Sequence, residues 1–130
     1  MRESLREAVA TVLAAHPDVV GAYLFGSRDR GEPAPGSDVD LAIVFRDPVQ
    51  LERLVRLEDE LETALGLPVD VVDLAHAGAF LALEAVRGER LFERDGRRLD
   101  ELDLFILRRA GELARFERER RQALLATGEK

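Results

Sequence analysis

Three short apolar runs, Val19–Phe25, 38–45 and Val69–Asp73, alternate with stretches of helical periodicity, and this alternation confines the chain to a layered α/β or α+β fold. The first run is bounded by Pro17 and Gly26 and follows an amphipathic pattern, Leu5, Val9, Val12 and Leu13, which His16-Pro17 ends. In the second run Val39, Leu41, Ile43 and Phe45 fall on one face of a strand, and Asp38, Asp40, Ala42 and Val44 on the other. Leu54, Leu57, Leu61 and Leu65 then mark a helix that begins after Pro48 and closes at Gly66, before the third run. A shorter helix is expected over 79–87, ending at Gly88. Leu91-Phe92 reads as an edge strand before an Asp95-Gly96 turn, and a long terminal helix runs from 99 to about 125.

No Pro-, Gly- or Ser-rich linker divides these elements, so residues 1–130 are expected to form a single domain. The chain has no cysteine, which removes disulfides and thiolate metal sites and leaves the cytoplasm as the expected compartment. No apolar run approaches the ~20 residues of a membrane span, so no membrane association is expected. The formal net charge of −7 opposes a phosphate backbone, which makes long nucleic acids poor partners.

The chemistry concentrates between the end of the first run and the start of the second. Gly26-Ser27 follows a strand directly; the segment 26–36 holds three glycines and two prolines and must be mostly turn. Gly26 lets the backbone approach a polyphosphate, and Ser27 offers it a hydroxyl and an amide N–H. Asp38 and Asp40, two apart on a strand, can point at one spot, where their oxygens suit Mg²⁺ better than a softer metal. Asp70 alternates onto the face opposite Val69 and Val71, and a neighbouring strand could bring it beside the pair. Such acids repel unless divalent cations neutralise them. Two ions held there would activate an attacking hydroxyl and stabilise a leaving pyrophosphate, which is nucleotidyl transfer.

Gly26-Ser27-Arg28-x-Arg30-Gly31 followed by Ser37-Asp38-Val39-Asp40-Leu41 resembles the signature of the minimal nucleotidyltransferases of the DNA polymerase β superfamily. The likeness continues in 69–74, similar to the family's third-carboxylate strand, and in 88–92, similar to its late turn. The resemblance implies a nucleotidyltransferase-like mixed sheet, with Asp38, Asp40 and Asp70 catalytic and holding two Mg²⁺ ions. It also implies contact of Gly26, Ser27, Arg28, Arg30 and Ser37 with the nucleotide. Asp29 departs from the pattern, since similar proteins often have a small residue there. Many small members, the MntA-type antitoxins among them, silence a helical HEPN-domain ribonuclease toxin by moving AMP from ATP to a toxin tyrosine. The expected partners are therefore such a toxin and a nucleoside triphosphate, with a homo-oligomer left open. A non-catalytic binding antitoxin and an enzyme acting on an aminoglycoside-like small molecule are the alternatives.

Other residues are read more plainly. Asp73 is expected to cap or face solvent, His16 and His76 to be ordinary surface histidines, and Tyr23 to pack within its strand. Phe105, Leu113, Phe116 and Leu124 on the terminal helix either border solvent or dock a partner.

Overall fold

Strand-forming runs and amphipathic stretches resolve, in the computed structural model, into alternating elements; residues 2–26 and 38–126 are described. Helix α1 (Arg2–Ala14) leads into β1 (Val19–Phe25), and β2 (Val39–Phe45) into helix α2 (Leu51–Leu65) and β3 (Val69–Asp73). A 3-10 turn at Leu74–His76 precedes α3 (Ala79–Val86), β4 (Glu89–Glu93) and the long helix α4 (Gly96–Ala126). Among the described residues no helix is long and apolar enough to cross a membrane.

The four strands form one mixed sheet in the order β3-β2-β1-β4. Strand β1 pairs antiparallel with both β2 and β4, whereas β2 and β3 run parallel. A parallel pair needs a crossover rather than a tight turn, and α2 supplies it. Gly66 ends α2 in the left-handed conformation (φ 68°), its N–H donating to the Glu62 carbonyl at 2.8 Å. Alternation along β2 assigns the two layers: Val39, Leu41, Ile43 and Phe45 pack with Val9, Leu13, Leu57 and Leu61 of α1 and α2. Ala42 and Val44 pack with Ala82, Ala85, Leu99 and Ile106 of α3 and α4.

Polar clasps hold the elements at long sequence separation. Tyr23, buried in β1 as its strand position predicts, also donates its hydroxyl to Asp103 of α4 at 2.5 Å. Arg90 of β4 donates to the same Asp103 at 2.8 Å and to Asp100 at 3.0 Å, with its guanidinium 5.7 Å from the Tyr23 ring centroid. Burial, followed by the Asp103 hydrogen bond, pushes the Tyr23 phenol well above its ordinary pKa. His16 differs from the sequence expectation. It is held between Glu60 at 2.8 Å and Arg53 at 2.9 Å, because α2 folds back over the end of α1. Arg53 also grips Asp18 through two bonds of 2.8 and 2.9 Å, and that hydrogen bonding holds the Asp18 carboxyl below its usual range.

Arg94 closes the end of α1. Its guanidinium donates to the carbonyls of Val19 (2.8 Å), Leu13 (3.1 Å), Ala14 (3.2 Å) and His16 (3.2 Å). The last carbonyls of a helix have no partner within it, and a cation there also complements the helix dipole. Arg94→Ala is expected to cost about 2 kcal/mol. In urea unfolding the midpoint should drop by roughly 1 M at unchanged slope; an unaltered midpoint would remove Arg94 from the account of stability.

Candidate active site

The carboxylates meet where β1 ends and β2 and β3 begin. Phe25 is paired with Asp40 across the antiparallel ladder, so Gly26 emerges directly beside the Asp40 side chain. Gly26 has φ 79°, a backbone conformation that side-chain-bearing residues rarely adopt. A Cβ built there would lie 2.5 Å from Asp40 Oδ2. The glycine is thus required twice, by its turn and by the carboxylate packed against it.

Across the parallel ladder Asp40 stands opposite Asp70. Neighbouring strands are about 4.8 Å apart, and residues facing each other in a ladder point to the same side of the sheet. That side belongs to α3 and α4, because Val39 and Val69 pack toward α1 and α2 while Ala42 and Val72 pack the other way. Asp38 immediately precedes β2 and is exposed, as is Asp70; Asp40 is half-buried. Asp40 is held above its usual carboxylate range by burial first, then by the negative charges of Asp70, Asp38 and Glu84. Asp70 in turn acts on Glu58 of α2, whose carboxyl is raised by burial and then by Asp70, Glu62 and Asp59.

Glu84 was invisible to sequence reasoning. It sits among Ala82 and Ala85, which bury α3 against the sheet, and nothing in its spacing separates it from an ordinary solvated helix residue. Only the fold of α3 back toward the end of β1 brings its charge to Asp40. Glu58 is a second such residue. Neither Asp40 nor Glu58 has a nearby arginine acting on its ionisation, so the negative charge collected here is uncompensated by the described residues.

The donor chemistry suits a hard divalent cation: all oxygen, with no sulfur or imidazole among Asp40 and the three acids whose charges act on it. Among the described residues no trio of His, Cys, Asp or Glu side chains is already drawn to ligand distance. Ser27, Arg28, Arg30 and Ser37, with Asp29 between them, lie outside the described residues. Asp73 takes no part. It is buried, accepts from Ala75 N at 3.2 Å and lies 2.9 Å from His76 Nδ1, capping the 3-10 turn in the role its alternation predicts.

A sequence model of the family described as "Polymerase beta, Nucleotidyltransferase" matches residues 7–97. The chain is 37% identical over 73 residues to the protein adenylyltransferase MntA of Thermococcus cleftensis, a match spanning 51% of this chain and 74% of that one. A crystal structure of a toxin-antitoxin with AMP-PNP shares the fold at TM-score 0.71 and 24% identity, over 94% of this chain and 96% of the other. So does a chain from the tri-AMPylated Shewanella oneidensis HEPN toxin in complex with MNT antitoxin, at TM-score 0.68 and 24% identity over 98% of both. The structural likeness extends well past the sequence match and takes in most of α4.

Proposed function

The chain belongs to the polymerase β nucleotidyltransferase family, and from that premise we propose that it is a Mg²⁺-dependent protein adenylyltransferase of the antitoxin kind. Its substrates in this reading are ATP and a tyrosine hydroxyl of a HEPN-type ribonuclease toxin. The observation that carries it is the apposition of Asp40 and Asp70 beside Gly26, with the negative charges of Asp38 and Glu84 also acting on Asp40. Such a cluster is costly in itself and becomes favourable when cations and a polyphosphate enter. The relative named MntA and the two toxin–antitoxin structures support the choice of acceptor class.

In the proposed reaction Asp38 and Asp40 would hold both metal ions, with Asp70 completing the site at the acceptor hydroxyl; Gly26, Ser27 and Ser37 seat the triphosphate, and Arg28 and Arg30 neutralise its charge. The acceptor oxygen bonds to the α-phosphorus, the bond from that phosphorus to the bridging oxygen breaks, and pyrophosphate leaves. Asp70, exposed at the edge strand, faces the incoming hydroxyl and takes its proton. Bound magnesium would supply Lewis-acid stabilisation of the developing charge on the phosphoryl oxygens and on the leaving group. Residues 1–130 act as one domain in this reading, and the acceptor protein brings much of its own positioning.

The test is a mixture of the purified chain with its cognate toxin, ATP and Mg²⁺, read by intact mass. An AMP-sized gain on the toxin, lost on substituting its tyrosine by phenylalanine, is the expected result. Toxin inhibition without any mass gain would replace this reading with a purely covering antitoxin. Ser27→Ala should weaken ATP use about tenfold, as expected for one hydrogen bond to a charged group. An unaltered KM and kcat for ATP would refute the assignment of Ser27 to the phosphates.

A further inference from the structure

Helix α4 carries a pattern that neither the core nor the nucleotide site uses. Glu101, Phe105 and Arg109 are spaced four residues apart, and Glu112, Phe116 and Arg120 repeat the same order eleven residues later. Eleven residues are close to three helical turns, so both triplets lie along one flank of the helix. All six residues are exposed, and the two phenylalanines are 58% and 60% accessible. The buried line of α4, Leu99, Ile106 and Ala110, lies on a different face. Among the described residues no other element covers this flank, although two of its residues are large aromatics.

The order of charges says what covers it. We propose that this flank pairs antiparallel with the same flank of a second copy of the chain, about a two-fold axis between residues 110 and 111. In that register Phe105 meets Phe116 of the other copy, Arg109 meets Glu112 and Glu101 meets Arg120, each contact occurring twice, as an isologous interface demands. A parallel pairing would set glutamate on glutamate and arginine on arginine, so the pattern specifies direction as well as partner. Arg109 and Glu112 have no ion pair among the described residues. Among the described residues Arg120 and Glu101 are engaged only with solvent-exposed neighbours on their own helix, Glu117 at 3.0 Å and Arg97 at 3.5 Å. Such surface pairs are weak and exchange readily. The paired segment, 101–120, is about 30 Å long.

Analytical ultracentrifugation of the full chain should show a concentration-dependent species at twice the 14.5 kDa chain mass. Glu112→Arg should weaken it at least tenfold by setting arginine against Arg109, and adding Arg109→Glu should restore it. Since the chain has no cysteine, Phe105→Cys and Phe116→Cys variants can be mixed under oxidation. Crosslinks should join 105 to 116 and should not form when the Phe105→Cys variant is oxidised alone. A monomer at all concentrations, a dimer indifferent to the reversal, or efficient 105-to-105 crosslinking would each overturn the proposal. A monomer that gains a stable mass only with a different helical protein would give the flank to that protein and overturn it as well.

Discussion

Asp40→Asn is expected to lower nucleotidyl transfer by about three orders of magnitude while leaving the protein folded and, without divalent cations, at least as stable as before. The loss follows from the assigned role: several kcal/mol of charge stabilisation depend on ligands that keep the cation in place, and about 4 kcal/mol is roughly a thousandfold in rate. The stability effect follows from the fold. Burial and the charges of Asp70, Asp38 and Glu84 raise the Asp40 pKa in the folded chain above its unfolded value. Its ionised form therefore opposes folding. That penalty is absent below the unfolded pKa, grows as pH rises toward the raised folded pKa, and persists unchanged above it.

The amide has the carboxylate's shape without its charge and escapes that penalty. The Tm difference between variant and wild type should widen from acid toward neutral pH in the variant's favour. Adding Mg²⁺ with a non-hydrolysable nucleotide should raise the Tm of the wild type and leave the variant unmoved. A variant that melts several degrees below the wild type in the absence of metal would show that the Asp40 carboxylate is structural, and retained turnover would remove it from the site.

The parts of this site legible in the sequence were those fixed by strand periodicity. A two-residue period puts Asp40 on the face opposite Leu41 and Asp70 on the face opposite Val69, whichever strands later become neighbours. The family resemblance added the expectation of a mixed sheet, which the strand order β3-β2-β1-β4 satisfies. Periodicity says nothing about contacts across the chain. Glu84 reaches Asp40, Arg94 reaches the end of α1 and Arg90 reaches Asp103 only after helices and strands distant in sequence have packed. The start of α4 differs from its sequence expectation for a related reason. The sequence reads Asp95-Gly96 as a turn before a helix at 99, but Asp95 opens the helix: its side chain accepts from Arg98 N at 3.2 Å. An aspartate before a glycine serves a turn and a helix start equally well, and the apolar pattern that would decide begins only at Leu99.

Gly88 shows how the sequence can mark a residue without giving its reason. It reads as the stop of a short helix, and its N–H does close α3 onto the Ala85 carbonyl at 3.0 Å. The larger constraint is steric. A Cβ at Gly88 would lie 2.1 Å from the Leu24 carbonyl oxygen of β1, and 3.2 Å from that of Ala85. A backbone oxygen inside a sheet ladder cannot swing away as a side chain can, so Gly88→Ala forces β4 or α3 off the sheet. The expected cost is about 3 kcal/mol, the upper part of the range for overpacking a well-filled interior. Gly78, at the other end of α3, has nothing within 4 Å of such a Cβ, so Gly78→Ala is the matched control and should leave the unfolding midpoint nearly unchanged. Because α3 carries Glu84 to Asp40, the damage at Gly88 should extend to the site: the survivors of Gly88→Ala should lose ATP- and Mg²⁺-dependent thermal stabilisation along with global stability. Equal midpoints for the two variants in urea would mean that β4 yields to the added methyl, and the close approach of Gly88 to β1 would then be no constraint on the fold.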